Sequence, residues 1–306
     1  MGTDAAAHAA GRERRMTTGV VVSGPASWNR IVRVEHLPEP VPHMQFALGD
    51  HETVGGTSAG KAIGLAALGR PVELFTLIGS DPDGDRLREI LGRVDGLELD
   101  LVDGARTERH LNLMTPHGER VSIYLSTPDD ADRPDDHRLT AAMEDAAAIV
   151  LDLSERSRRV IPDARASGRP IWTDLQDYDG KGEFHRPFLD AADVVFMNGD
   201  RIGPEPVAFL RRVVDDGARL AVCTLGPAGA VAVAAPEGAG RASEHRVDAV
   251  PVDVVDANGA GDAFLAGVLH AVLDGAGVDA ALEVGAQHAA SALGTAHLHP
   301  TLEPLV

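Results

Sequence analysis

Short apolar runs rich in β-branched residues recur along the 306-residue chain, and the segments between them are long enough to hold helices. The runs are "GVVVSG" at 19–24, "VELFTLIG" at 72–79, "AAIVLDLS" at 147–154, "PIWTDL" at 170–175, "DVVFMN" at 193–198, "LAVCTLG" at 220–226 and "GAVAVAA" at 229–235. A strand that is apolar along its whole length has to be covered on both faces, and helical crossovers make neighbouring strands parallel. Few folds satisfy both conditions. The sequence therefore predicts an α/β protein with a doubly wound, mostly parallel sheet flanked by helices. "GGTSAGKAIGLAALG" (55–69) reads as a glycine-rich start and then a helix, stopped by Gly69 and Pro71, and "DPDGDRLREILGRV" (81–94) as a turn entering an amphipathic helix. Four strands end in polar residues, Asp152, Asp174, Asn198 and Thr224. Ligands of open α/β sheets lie beyond such carboxyl ends, so each reads either as a group facing a site or as a helix cap.

Two stretches break the alternation. "RIVRVEHL" (30–37) alternates like a strand with one wet face and leads into the proline-rich, irregular "PEPVPHMQF" (38–46). Between 105 and 126, "RHLNLMT" and "RVSIYLS" flank "PHGE", the composition of a hairpin. Together these stretches predict a small sheet that stands off the main one as a lid, formed by about 30–48 and 105–126. Residues 18–302 are expected to be one domain, and the small, polar and charged residues 1–17 a disordered tail, with Met16 as an alternative start.

Charge and composition narrow the partners. A formal charge of −19 argues against nonspecific nucleic-acid binding. It leaves open a small anionic substrate, because a local field can oppose the net charge. No apolar run of about 18 residues suggests a membrane span, and the single cysteine, Cys223, excludes an internal disulfide. A cytoplasmic protein is the simplest expectation. The thirteen histidines show no close pairing of the kind a metal cluster needs, and His297 and His299 read as surface residues. Lysine is confined to Lys61 and Lys181.

The stretch "VVDANGAGDAF" (254–264) places Gly259-Ala260-Gly261 between two aspartates and ahead of an apolar helix. Bare backbone N–H groups at a helix start, aided by the helix dipole, favour an anion. Asp262, in the first turn, can cap the helix or take a proton from a hydroxyl held beside that anion. Phosphoryl transfer uses both elements. Asp256 reads as a residue near a metal or one that fixes the loop.

Asp256-Ala257-Asn258-Gly259-Ala260-Gly261-Asp262 resembles the C-terminal motif of the ribokinase-like (PfkB) carbohydrate kinase family, and "GGTSAGKAIGLAALGRPVELFTLIGSDPDGDRL" resembles its Gly-Gly motif. The resemblance spans about residues 18 to 298. It implies a ribokinase-like fold and an ATP-dependent kinase acting on a hydroxyl of a small sugar or polyol. Asp262 would be the base and Gly259, Ala260 and Gly261 the anion hole. The acceptor would meet Asn29, Gly55, Gly56, Gly60, Lys61, His110 and Asn112, with Lys61 as a cation at its pocket. The nucleotide would lie across Asn198, Thr224, Gly226, Gly229, Gln287 and Ser291. The resemblance also implies Mg2+, in some members a monovalent cation such as K+, and a homodimer through the lid. Three departures accompany it: Asn29 stands where many sugar kinases have Asp, Gly60 where Asn is usual, and Arg201 where the magnesium-related Asn-x-x-Glu motif ends. Asn258, frequent in adenosine-kinase-like members, keeps a nucleoside acceptor open. A non-catalytic ligand-binding protein on the same fold is the other alternative.

Overall fold

The computed structural model describes residues 19–306 apart from 105, 117, 129–135, 237 and 239. The expected tail, residues 1–17, lies outside the described residues. The chain enters through β1 (Val20–Ser23), turns into β2 (Ser27–Arg33) and returns through β3 (Gly49–Gly55) to α1 (Thr57–Ala67) and β4 (Val72–Gly79). Next come α2 (Pro82–Leu91), β5 (Leu97–Gly104) and the pair β6 (Glu108–Met114) and β7 (Arg120–Ser126). After α3 (His137–Asp145) the alternation resumes with β8 (Ala148–Leu151), α4 (Glu155–Arg159), α5 (Ile161–Ala166), β9 (Ile171–Asp174), α6 (Arg186–Ala191), β10 (Val194–Asn198), α7 (Pro206–Asp215) and β11 (Leu220–Thr224). β12 (Ala230–Ala234) and β13 (Ser243–Val247) follow, and then the long helices α8 (Ala260–Leu273) and α9 (Val278–Leu293).

The main sheet has nine strands in the order β13-β12-β11-β10-β9-β8-β1-β4-β5. β1 runs parallel to β4 on one side and to β8 on the other; β12 pairs antiparallel with both β11 and β13. Alternate residues feed two cores, as a period of two requires. Val20 and Val22 pack on the face covered by α1, α8 and α9, together with Leu74, Trp172, Phe196, Ile63 and Phe264. Val21 packs on the other face with Phe75, Ile149, Val195, Leu139 and Leu210. Trp28 joins the first of these cores. The chain builds outward from β1 to β4 and β5, then restarts on the other side of β1 at β8. That reversal is where open α/β sheets place their ligands.

The lid is a separate four-stranded sheet, β3-β2-β6-β7, with β2 and β6 parallel and its outer pairs antiparallel. Its strands depart from the expected lid segments. β2 begins at Ser27 and ends at Arg33, and its partner β3 falls on the polar "GDHETVG", whose outer half is solvent-exposed. Main-chain pairing rather than an apolar pattern forms that edge strand. Residues 38–46 have no regular structure, as their prolines predict.

The crossing from β3 into α1 depends on Gly56. Its φ of 95° is left-handed, and a Cβ there would lie 2.4 Å from the Pro25 carbonyl oxygen. Gly56→Ala is therefore expected to cost about 2 kcal/mol or more. The check is the urea midpoint at constant slope.

Candidate active site

The carboxyl ends of β1, β8 and β9 meet the first turns of α1 and α8, and the lid covers the junction. Asp152, one residue past β8, accepts from Ser58 Oγ at 2.6 Å and Thr57 Oγ1 at 3.2 Å. Asp174 ends β9 and accepts from the Gln176 backbone N–H at 2.9 Å. Both face the ammonium of Lys61, at 3.1 Å and 3.2 Å. Lys61 donates to Asp262 Oδ1 at 2.7 Å. α8 itself starts at Gly259, in the left-handed region (φ 79°), with no side chain capping its first turn. Asp262 therefore spends its carboxylate on Lys61 and leaves the helix-start amides open to an anion.

Burial dominates the electrostatics. It pushes the Asp262 carboxyl up to about 7; Lys61 opposes that rise, and Asp174 and Asp152 add to it. Burial likewise raises Asp152, with Lys61 pulling against it. Burial alone would lower the Lys61 ammonium, but the carboxylates of Asp152, Asp262 and Asp174 outweigh it and hold that ammonium above its ordinary value.

A cavity of about 770 Å3 opens over Asp262 between the sheet ends and the lid. Of the expected residues, Asn29, Gly56, His110, Asn112, Gly259 and Asp262 line it. Asn29 is buried and accepts from Ser27 Oγ at 2.8 Å. Gly55 lies directly behind Asn29, where a Cβ would meet its amide at 2.0 Å. His110 contacts Glu108 Oε1 at 2.9 Å and packs against the Tyr124 ring. Among the lining groups that escaped the sequence reading are Glu108, Arg120 and Gln176. Gln176 is the one non-glycine residue with positive φ (55°) among those described, a conformation that no sequence pattern announces.

Several expectations need correction. Lys61 is not a cation at the acceptor pocket: it is fully buried, and its charge is engaged by three aspartates. Gly60 lies beneath Asp262 rather than on the pocket wall; a Cβ there would come within 2.7 Å of Asp262 Oδ2. Asp256 does not fit a magnesium ligand, because Oδ2 pairs with Arg33 Nη2 and Oδ1 accepts from the Asn258 N–H, each at 2.8 Å. It fixes the loop instead. Among the described residues, no group of three acidic, histidine or cysteine side chains could hold a metal. His297 and His299 turn inward: His297 Nδ1 meets Thr53 Oγ1 at 2.8 Å, and burial drives His299 down to about 4.

The six residues expected at the nucleotide stand away from this cavity. Asn198 and Thr224 face each other at the ends of β10 and β11. Gly226 and Gly229 shape the turn after β11, where Gly229 approaches the Val247 carbonyl. Gln287 and Ser291 lie one turn apart on the exposed face of α9. Arg201, at the glutamate position of the metal motif, pairs loosely with Asp177 at 3.7 Å.

With this geometry, the comparisons with known proteins agree on one class. The family model described as pfkB family carbohydrate kinase matches residues 18–302. The acarbose 7(IV)-phosphotransferase of Actinoplanes sp. is 30% identical over 271 residues, covering 88% of this chain and 90% of that protein. A solved microbiome-derived acarbose kinase superposes with a TM-score of 0.79 at 30% identity, covering 94% of this chain and 99% of that one. Arabidopsis thaliana ribokinase, solved with ribose and ATP, gives a TM-score of 0.75 at 20% identity over 94% and 98% of the two chains, a likeness of fold. The chain belongs to the pfkB family of carbohydrate kinases and has its ribokinase-like fold. It is a phosphotransferase of the class whose acceptor is an alcohol group, and its family implies ATP as the donor. Among the described residues, no helix is long and apolar enough to cross a membrane.

The packing of Asp262 on Gly60 yields a test. Gly60→Ala should leave the fold intact but displace the carboxylate, with a fall in kcat/KM of about 100-fold. Steady-state kinetics beside an unchanged melting curve would check this.

Proposed function

We propose that the protein transfers the γ-phosphoryl group of ATP to a hydroxyl of a small carbohydrate held in the cavity beneath the lid. The observation that carries this reading is the position of Asp262: one carboxylate lines the cavity and stands in the first turn of a helix whose starting amides are uncapped. The acceptor hydroxyl would meet Asp262 at Oδ2, the oxygen that Lys61 does not engage. As the acceptor oxygen bonds to the γ-phosphorus, its proton passes to that carboxylate and the bond to ADP breaks. The backbone N–H groups of Gly259, Ala260 and Gly261 would take up the charge on the moving phosphoryl group. Asn29, His110 and Asn112 would orient the acceptor, and the lid would exclude water, a competing nucleophile.

Family resemblance alone speaks for magnesium and for a monovalent cation, and no step is assigned to either. For a homodimer through the lid, the support is β7, an edge strand that leaves Val121, Ile123, Tyr124 and Leu125 exposed.

A second reading, an acceptor longer than one sugar ring, is favoured by the size of the cavity. About 770 Å3 lies in the range that holds drug-sized ligands, and two similar proteins are named for acarbose. ADP release measured against monosaccharides, polyols, oligosaccharides and nucleosides separates these possibilities. If no acceptor raises ADP above the ATPase background while ligands still bind, the protein is a binding protein on a kinase fold. Asp262→Asn should lower kcat by several orders of magnitude with nucleotide affinity nearly unchanged. The pH profile has a definite sign. A carboxyl that titrates near 7 loses its proton-accepting form as the pH falls, so kcat/KM should decline on the acid side of about pH 7.

A further inference from the structure

Lys61 is the one fully buried lysine of a chain that has two, and Lys181 is exposed. Every charged group that faces it is acidic. From α8 comes Asp262 Oδ1 at 2.7 Å, from the end of β8 Asp152 Oδ1 at 3.1 Å, and from the end of β9 Asp174 Oδ2 at 3.2 Å. Its own helix adds the Thr57 carbonyl at 3.5 Å. α9 presents His288 to α1 only at the Gly64 carbonyl. One ammonium against three carboxylates leaves a formal charge of −2. The residue before Lys61 supplies the complementary half of the seat: only glycine at position 60 leaves room for Asp262 Oδ2.

We propose that Lys61 is the positioning residue of the base: its ammonium, together with the space left by Gly60, fixes the Asp262 carboxylate and keeps it in its proton-accepting form. This rests on the reading of Asp262 as base. Without the cation, three carboxylates would share one buried site at a formal charge of −3. Groups so placed take up protons rather than remain charged. Asp262, already drawn upward by burial, would hold its proton at neutral pH and cease to accept one from the acceptor. The dipeptide Gly60-Lys61, which departs from the family pattern at Gly60, would thus replace a neutral side chain beside the base with a gap and a charge.

Two measurements test the proposal. In the full chain labelled with 15N-lysine, side-chain NMR should give two signals, and Lys181→Arg removes one of them. The Lys61 signal should stay protonated at a pH where Lys181 titrates, and should shift in a step near neutral pH that Asp262→Asn abolishes. This readout needs no acceptor. If no acceptor is ever phosphorylated, the kinase reading fails while the lysine signals still decide the role of Lys61. For turnover, Lys61→Met should move the acid limb of kcat/KM to higher pH, so that the loss at pH 7 exceeds the loss at pH 9 by about tenfold or more. Lys61→Met with Asp152→Asn returns the site to −2 and should bring the limb back toward wild type. An unshifted profile with equal loss at all pH values overturns the proposal and leaves Lys61 a packing residue. So does a Lys61 signal that titrates with Lys181 or shows no neutral step. If Lys61→Met does not fold, the signals of the wild type and of Asp262→Asn settle the matter.

Discussion

The rest of the site depends on the contact between one ammonium and three carboxylates. Removing charges from water costs several kcal/mol per ion, and only close, well-directed pairing recovers it. Here the pairing joins elements that lie far apart in sequence. Asp152 follows β8, Asp174 ends β9, Asp262 belongs to α8, and Lys61 comes from α1. The cost of leaving any of these groups unpaired binds the switch point of the sheet to the first turn of α8. The glycine turn that starts α8 is placed against the sheet by electrostatics as much as by apolar packing.

How much of this the sequence discloses follows from where each residue sits. Strands covered on both faces carry an unbroken apolar run, so β1, β4 and β8 to β12 were legible to within a few residues. β3 and β13 were not, because "GDHETVG" and "SEHRV" are largely polar segments whose partners are chosen by main-chain hydrogen bonds. The Gly-Ala-Gly-Asp turn was legible because its residue types have few other uses. Lys61 was noticeable by its rarity, yet its environment was hidden: the Asp262 carboxylate it grips lies 201 residues away. Asp152 and Asp174 were visible as polar strand ends, but nothing local distinguishes a strand-end aspartate that caps from one that faces a buried cation. Asp256 shows the converse, since its closeness to the turn suggested either a metal or a loop-fixing role, and the partner that decides between them, Arg33, lies in the lid.

The charge balance of the chain fits the same picture. A protein with a formal charge of −19 has to hold a polyanionic donor without lysine-rich surface. Lys61 and Arg33 are paired with aspartates, whereas Arg120, which lines the cavity, donates to the neutral amide of Asn258. On the proposed mechanism, the backbone amides at the glycine-rich start of α8 add partial positive charge for the phosphates without counter-ions.

Those two arginines give the lid a further property. Arg33 of β2 holds Asp256 and the Val255 carbonyl, and Arg120 of β7 donates to Asn258 Oδ1 at 2.7 Å. Both anchors lie within four residues of Gly259, so the lid and the glycine turn at the start of α8 share mechanical joints. On the proposed mechanism, an acceptor that drew the lid inward would pull on the loop that carries the phosphate-binding amides, and a nucleotide that ordered this loop would stiffen the lid. Linkage makes such an effect symmetric: whatever factor one ligand gains from the other, it returns. The two substrates of the proposed reaction would thereby be energetically linked before any bond is made.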